Sequence, residues 1–155
     1  MQKSRKPECV VLPIDEGEMV RIVELCARRR KPVVARGTGT GLGGGCIAHE
    51  GGVVVNTRLM CEIDDVNVRQ NTATVGPGVL KNELNEHLKK NGFGLVFGPD
   101  PSSNPTIGGM ASTGGSGLST LKYGTSKENV VAMRVVLPNG KVITTRRGRT
   151  RRGTN

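Results

Sequence analysis

The chain predicts an α+β fold of two lobes, a small β-α-β lobe followed by a larger, mixed and mainly antiparallel one. Three observations carry that prediction. Apolar residues alternate between helical spacing and short valine-rich runs, turn signals for hairpins fall in the second half, and two glycine-rich stretches punctuate the pattern. At 155 residues there is room for one domain with a real core or for two small lobes.

Residues 9–12 are a short apolar run read as the first strand. A helix follows from Asp15, with Asp15, Glu16 and Glu18 at the end where negative charge meets the positive pole of the helix dipole. Met19, Ile22, Val23, Cys26 and Ala27 recur at helical spacing and mark its buried face. Pro32 closes the helix, residues 33–35 return as a strand, and parallel strands here require a right-handed crossover. Residues 53–56 add a third strand and complete a lobe over residues 8–60.

The second lobe is expected over residues 61–145. Extended stretches at 63–68 and 72–75 flank Arg69-Gln70-Asn71, which reads as a hairpin turn. Gly76-Pro77-Gly78 leads into a helix with Leu80, Leu84 and Leu88 as its apolar stripe, stopped by Asn91-Gly92. Residues 95–97 are expected to be extended and 107–113 to form one or two helical turns. Residues 130–137 form a strong strand, turned by Pro138-Asn139-Gly140 into 142–145. An arginine-rich tail, residues 146–155, ends without a closing element, and the chain reads as truncated there.

Composition excludes several classes. No apolar run approaches a membrane span, so no transmembrane segment is expected. The N-terminus does not resemble a signal peptide. Cys9, Cys26, Cys46 and Cys61 are widely spaced without a Cys-x-x-Cys, which favours reduced, mostly buried thiols and an intracellular protein. His49 and His87 are isolated, so no metal site is expected. The net charge of +10 is concentrated in the tail and in Arg28-Arg29-Arg30-Lys31 at a helix end. Without interleaved aromatics it lacks stacking platforms, and no nucleic-acid partner is expected.

The glycine stretches carry the functional signal. Residues 36–45 read RGTGTGLGGG and residues 99–117 read PDPSSNPTIGGMASTGGSG, together holding 11 of the 23 glycines. Glycine is kept where the backbone takes positive φ or approaches something closely. These stretches mix glycine with threonine and serine and have no carboxylate in their glycine cores, so they offer amides and hydroxyls to a phosphate or pyrophosphate. A phosphorylated cofactor follows. The first stretch comes after a strand, but no helix of useful length fits before the strand at 53–55, which argues against a Rossmann fingerprint. No Gly-Lys-Ser/Thr ending is present, which excludes a P-loop.

The order of the segments resembles the flavin-binding domain of the vanillyl-alcohol-oxidase-like superfamily, the PCMH-type FAD domain. It is most similar to the FAD-linked 2-hydroxy-acid dehydrogenases: the cytochrome-type D-lactate dehydrogenase, glycolate oxidase flavin subunit and D-2-hydroxyglutarate dehydrogenase group. The resemblance runs through PVVARGTGTG (32–41), VGPGV (75–79), PDPSS (99–103), TIGGM (106–110), KYGT (122–125) and VLPNG (136–140). It implies that Arg36, Gly37, Thr38, Gly39, Thr40, Gly41, Gly44 and Gly45 wrap the FAD pyrophosphate with backbone amides. Pro77 and Gly78 join the cofactor set. Pro101, Ser102 and Ser103, with Ile107, Gly108, Gly109, Thr113, Ser116 and Gly117, are implied along the ribityl chain and isoalloxazine. Relatives with covalent flavin carry a histidine where this chain has Thr40, so noncovalent FAD is implied. The family continues into further flavin contacts and a substrate-cap domain, and many relatives carry asparagine in place of Gly114.

The activity implied is oxidation of a small D-2-hydroxy acid, D-lactate foremost, with glycolate or D-2-hydroxyglutarate as alternatives. Electrons pass to a cytochrome or quinone-linked acceptor, and mitochondrial localisation is implied by the resemblance alone. No catalytic residue is assigned: His49 and His87 read as surface or structural, and Lys122 and Tyr123 fit a structural role equally well. Residues 1–155 alone are expected to be inactive. One competing reading is a non-catalytic flavin-fold fragment acting as an interaction protein, of the kind given an actin-interacting label. Another is a UDP-sugar reductase of the same superfamily, which the PDPSS segment fits less well.

Overall fold

Asp15 starts the first helix, α1 (Glu16–Arg28), in a computed structural model that describes residues 6–146. The Asp15 carboxylate accepts the Glu18 N–H at 2.7 Å, and the Glu18 carboxylate accepts the Ile14 N–H at 3.0 Å. Two otherwise orphaned amides are thereby satisfied. At the far end Arg30 takes φ 50°, the left-handed conformation that glycine more often supplies, and Lys31 N–H returns to the Cys26 carbonyl at 2.9 Å.

The helix connects β1 (Cys9–Val11) to β2 (Val33–Arg36), and β3 (Val53–Asn56) lies between them in a parallel sheet of order β1-β3-β2. The parallel arrangement is the one the β-α-β reading requires. Val54 and Val55 on the central strand are buried, as is Cys26 on the helix. The buried face of α1 is narrower than expected, and Ala27 is exposed. At 100° per residue, Ala27 lies about 90° round from the centre of the stripe made by Met19, Ile22, Val23 and Cys26.

A 3-10 turn (Thr57–Leu59) leads into the antiparallel pair β4 (Ile63–Asn67) and β5 (Thr72–Val75). Asn67 Oδ1 accepts the Gln70 N–H at 3.1 Å, and Asn71 takes φ 53° to complete the turn. In α2 (Lys81–Lys90) the Glu83 carboxylate accepts the Leu80 N–H at 2.8 Å. Leu80 is therefore the cap residue rather than a member of the stripe. Leu84 and Leu88 are buried with Val79, and Ile63, Val75, Phe97 and Ile107 pack against that core.

The extended segment expected at 95–97 forms no strand. The Asn85 amide takes the place of a strand partner, accepting the Phe97 N–H at 2.8 Å and donating to the Phe97 carbonyl at 3.2 Å. Beyond it come three short helices, α3 (Ile107–Thr113), α4 (Thr120–Tyr123) and α5 (Ser126–Asn129). The hairpin of β6 (Ala132–Val136) and β7 (Val142–Arg146) follows.

This hairpin reaches back to the first lobe. Arg134 donates to both carboxylate oxygens of Glu16, at 2.6 and 2.7 Å. Gly140, at φ +81°, lies so close to Glu24 that a Cβ there would stand 2.4 Å from Glu24 Cγ. All four cysteines are free, as expected, but the expectation of mostly buried thiols is corrected. Only Cys26 is buried, Cys46 is half-buried, and Cys9 and Cys61 are exposed. Cys9 sits at the start of an edge strand and Cys61 in a connection, where no second layer covers them. Apart from Arg146, the basic tail lies outside the described residues. No helix among the described residues is long and apolar enough to cross a membrane.

Candidate cofactor site

The first glycine stretch leaves the carboxyl end of β2, the end at which parallel sheets present ligand sites. No helix forms between it and β3. The chain instead makes tight turns, with Ile47 N–H on the Gly44 carbonyl at 3.0 Å and Gly51 N–H on the Ala48 carbonyl at 3.2 Å.

Three separate segments meet beside this loop. Gly37 packs directly on Thr106, where a Cβ would lie 2.1 Å from Thr106 Oγ1. Gly108 packs on Pro77 in the same way, with a Cβ 2.6 Å from Pro77 Cβ. Backbone bonds knit the last two segments: Ile107 N–H to the Val79 carbonyl at 2.8 Å, Gly108 N–H to Pro77 at 3.0 Å, and Lys81 N–H to Pro105 at 3.0 Å. Arg58 donates to the Gly78 carbonyl and pairs with Glu83 at 3.4 Å. Residues 36–37, 77–78 and 106–109 are thus brought together.

The far end of the second stretch is fixed by Asp100. Its carboxylate accepts the Ser119 N–H at 2.7 Å and the Ser119 hydroxyl at 2.9 Å. These two bonds hold the Asp100 carboxyl below the usual carboxylate range. Gly117 abuts the Asp100 carbonyl carbon, and the buried Ser126 donates its hydroxyl to the Gly115 carbonyl at 2.8 Å. Pro101 and Ser103 are half-buried, whereas Ser102, Thr113 and Ser116 are exposed. Thr113 Oγ1 is engaged with the Gly109 carbonyl at 2.9 Å.

Residues 38–45 differ from all of these. Among the described residues, no N–H of this stretch donates to a protein acceptor. A Cβ at Gly41, Gly43 or Gly45 would meet nothing within 4 Å. Internal packing therefore explains Gly37, Gly78, Gly108 and Gly117 but not these three. Thr38 and Thr40 hydroxyls lie 3.4 Å apart above the loop. The result is a run of amides without protein acceptors, with two threonine hydroxyls bonded to each other and no carboxylate, a donor set suited to an anion.

The remaining candidates lie apart from catalytic geometry. His87 stacks on Phe93 with ring centroids 6.2 Å apart, and His49 is exposed near Gly44. Lys122 lies over the Tyr123 ring, which itself packs on Gly98. No cluster of metal-ligating side chains occurs among the described residues. A cavity of about 470 Å³ is lined by Ala111, Gly114, Val130 and Met133 among others. It touches the site only at the C-terminal end of α3, and the loop amides carry the case for the glycine stretch. Sequence reasoning missed Thr106, Asp100 and Asn85 as the groups that hold the segments together. A threonine directly after a proline and before an apolar residue that opens a helix is a helix-cap signal that points to the first of them.

Against known proteins, the family model described as an FAD binding domain matches residues 7–146. The chain is 38% identical over 139 residues to the mitochondrial D-lactate dehydrogenase [cytochrome] of Arabidopsis thaliana, covering 90% of this chain and 24% of that protein. It is 38% identical over 146 residues to glycolate oxidase subunit GlcD of Bacillus subtilis, covering 93% of this chain and 31% of the relative. Among solved structures, alkyldihydroxyacetonephosphate synthase superposes with a TM-score of 0.77 at 30% identity, covering 94% of this chain and 27% of the other. The chain spans less than a third of the length of each.

Proposed function

This chain belongs to the FAD binding domain family, and we propose that it is the FAD-holding part of an oxidoreductase acting on small D-2-hydroxy acids. The observation that carries the reading is the run of unpaired amides at 38–45, mounted on a base where three segments lock together. The donor set, amides and hydroxyls with no carboxylate among them, fits a diphosphate. Arg36, Gly37, Thr38, Gly39, Thr40, Gly41, Gly44 and Gly45 would hold the pyrophosphate with backbone amides, while Pro77, Gly78, Ile107, Gly108 and Gly109 form the supporting wall. Pro101, Ser102, Ser103, Thr113, Ser116 and Gly117 line the direction of the ribityl chain and ring. When bound, FAD supplies the two-electron acceptor that no side chain here provides.

D-lactate is the first substrate in this reading and glycolate the second, supported by the names of the two relatives above. A cytochrome acceptor and a mitochondrial location are supported by the name of the plant relative. Thr40 offers no imidazole to a flavin methyl group, which supports noncovalent attachment. No described residue stands as a base for the hydroxyl proton, so substrate oxidation by residues 1–155 alone is not expected. The test is reconstitution with FAD followed by acid precipitation. One FAD per chain, released entirely to the supernatant, supports the reading. No bound flavin, FMN in place of FAD, or flavin retained in the pellet contradicts it.

A further inference from the structure

The Arg36 side chain stands out at this site. It ends β2, and its guanidinium sits against the glycine loop, where a Cβ on Gly39 would be. A Cβ on Gly39 would be 2.4 Å from Nη2, 2.6 Å from Cζ and 3.1 Å from Nε, so the guanidinium packs directly against the Gly39 backbone. Gly39 takes φ +75° at this point, and the turn that brings its backbone over the guanidinium is one that favours glycine. On the other side Nη1 faces Cys46 Sγ at 3.9 Å, and that thiol in turn faces the Gly39 carbonyl at 3.9 Å. Strand end, loop crown and loop exit therefore meet on one planar cation.

Among the described residues the cation has no counter-charge. The ion pairs among the described residues involve Arg21, Lys31, Arg58 and Arg134 but not Arg36. Its one protein contact of hydrogen-bond type is a sulfur, a weak acceptor for a group with five N–H donors. A half-buried guanidinium left so poorly partnered, beside a loop whose amides also find no protein acceptor, is suited to an anion that takes two of its N–H bonds side by side.

We propose that the Arg36 guanidinium is a phosphate-binding and loop-positioning group: it props the left-handed turn at Gly39 and supplies the formal positive charge for a diphosphate. The inference rests on the FAD reading above but concerns a side chain, where that reading uses only backbone amides at this position. It predicts a division of labour. The amides set the shape of the site, and the guanidinium sets its charge and hence its salt dependence.

The experiment titrates the full chain and its Arg36→Gln and Arg36→Lys variants with two probes, FAD and riboflavin, at low and high salt. Riboflavin has the ring and ribityl chain but no phosphate. Arg36→Gln is expected to weaken FAD roughly ten- to a hundredfold, the scale of a charge-assisted hydrogen bond, and to flatten the salt dependence. Riboflavin affinity should stay within about twofold, given that surface contacts unrelated to the phosphate are unaffected. Arg36→Lys should restore the salt slope but only part of the affinity, because an ammonium lacks the flat fork that supports Gly39. FAD binding by Arg36→Gln equal to the parent, with the same salt slope, overturns the proposal. So does an equal loss for FAD and riboflavin in both variants, which marks a purely structural residue. Failure of the parent chain to bind FAD at all overturns the underlying cofactor reading instead.

Discussion

Gly37 and Gly41 are four residues apart in one glycine stretch, and the fold uses them for opposite reasons. Gly37 is pressed on Thr106, so Gly37→Val should drive two methyl groups into a buried cap residue that is 1% exposed. The loss expected is about 1–3 kcal/mol of stability, as for other overpacked sites, read as a lowered denaturation midpoint without any ligand. Gly41→Val places its side chain in open space, so the apoprotein should keep its midpoint.

Asp100 yields a second test at this scale. Its carboxyl is held below the ordinary value by the Ser119 N–H and hydroxyl. A lowered folded-state value means that the ionised carboxylate stabilises the folded form above the unfolded-state pKa of 3.8. That contribution fades as the pH falls through the lower, folded value. The protection factor of the Ser119 amide, its exchange rate relative to the intrinsic rate at the same pH, should therefore fall selectively on acidification, and Asp100→Asn should remove that pH dependence. A protection factor at Ser119 that is flat with pH in the parent would refute the assignment.

At the scale of elements, α1, α2 and the two hairpins follow from patterns visible in the residues. Asp15 with Glu18 marks a helix start, Asn91-Gly92 a helix stop and Asn139-Gly140 a hairpin turn. The segment at 95–97 does not follow, because its partner is a side chain, Asn85, twelve residues away, and hydrogen bonding to an amide leaves no periodic trace. Exposure of Cys9 and Cys61 is equally hidden, since it depends on which sheet edges other elements cover.

The docking of the β6–β7 hairpin on α1 through Arg134 and Glu16 spans 118 residues, and no local signal announces it. Glu16 is held below its ordinary pKa by the Arg134 hydrogen bonds, so the contact is expected above the carboxylate range and weakens as the pH falls through that lower value. Both partners are well exposed, and solvent screening keeps the gain small. Glu16→Gln should leave thermal stability nearly unchanged while raising exchange in β6. Within the core of the second lobe, Leu84→Ala should cost about 2–5 kcal/mol, because Val79 and Leu88 close round it. A loss below about 1 kcal/mol in denaturant titrations would contradict that packing.

Across the whole molecule, the fold ties the two glycine stretches to one base, and the proposed function makes that base a holder for FAD. The glycine stretches announced an anion site in the residues themselves. The resemblance narrowed it to FAD, and the match over residues 7–146 established the family. What the residues alone did not separate is which glycines pack internally and which face outward, because composition is the same for both. The fold separates them by what a Cβ would meet. The central claim is that the outward-facing amides of residues 38–45 bind the cofactor. The most direct measurement is FAD affinity of Gly41→Val beside the parent chain, with circular dichroism and the thermal midpoint recorded on both apoproteins. The account predicts stoichiometric FAD binding by the parent, and loss of FAD by a variant whose spectrum and midpoint are unchanged. Undiminished FAD affinity in a folded Gly41→Val chain would contradict it.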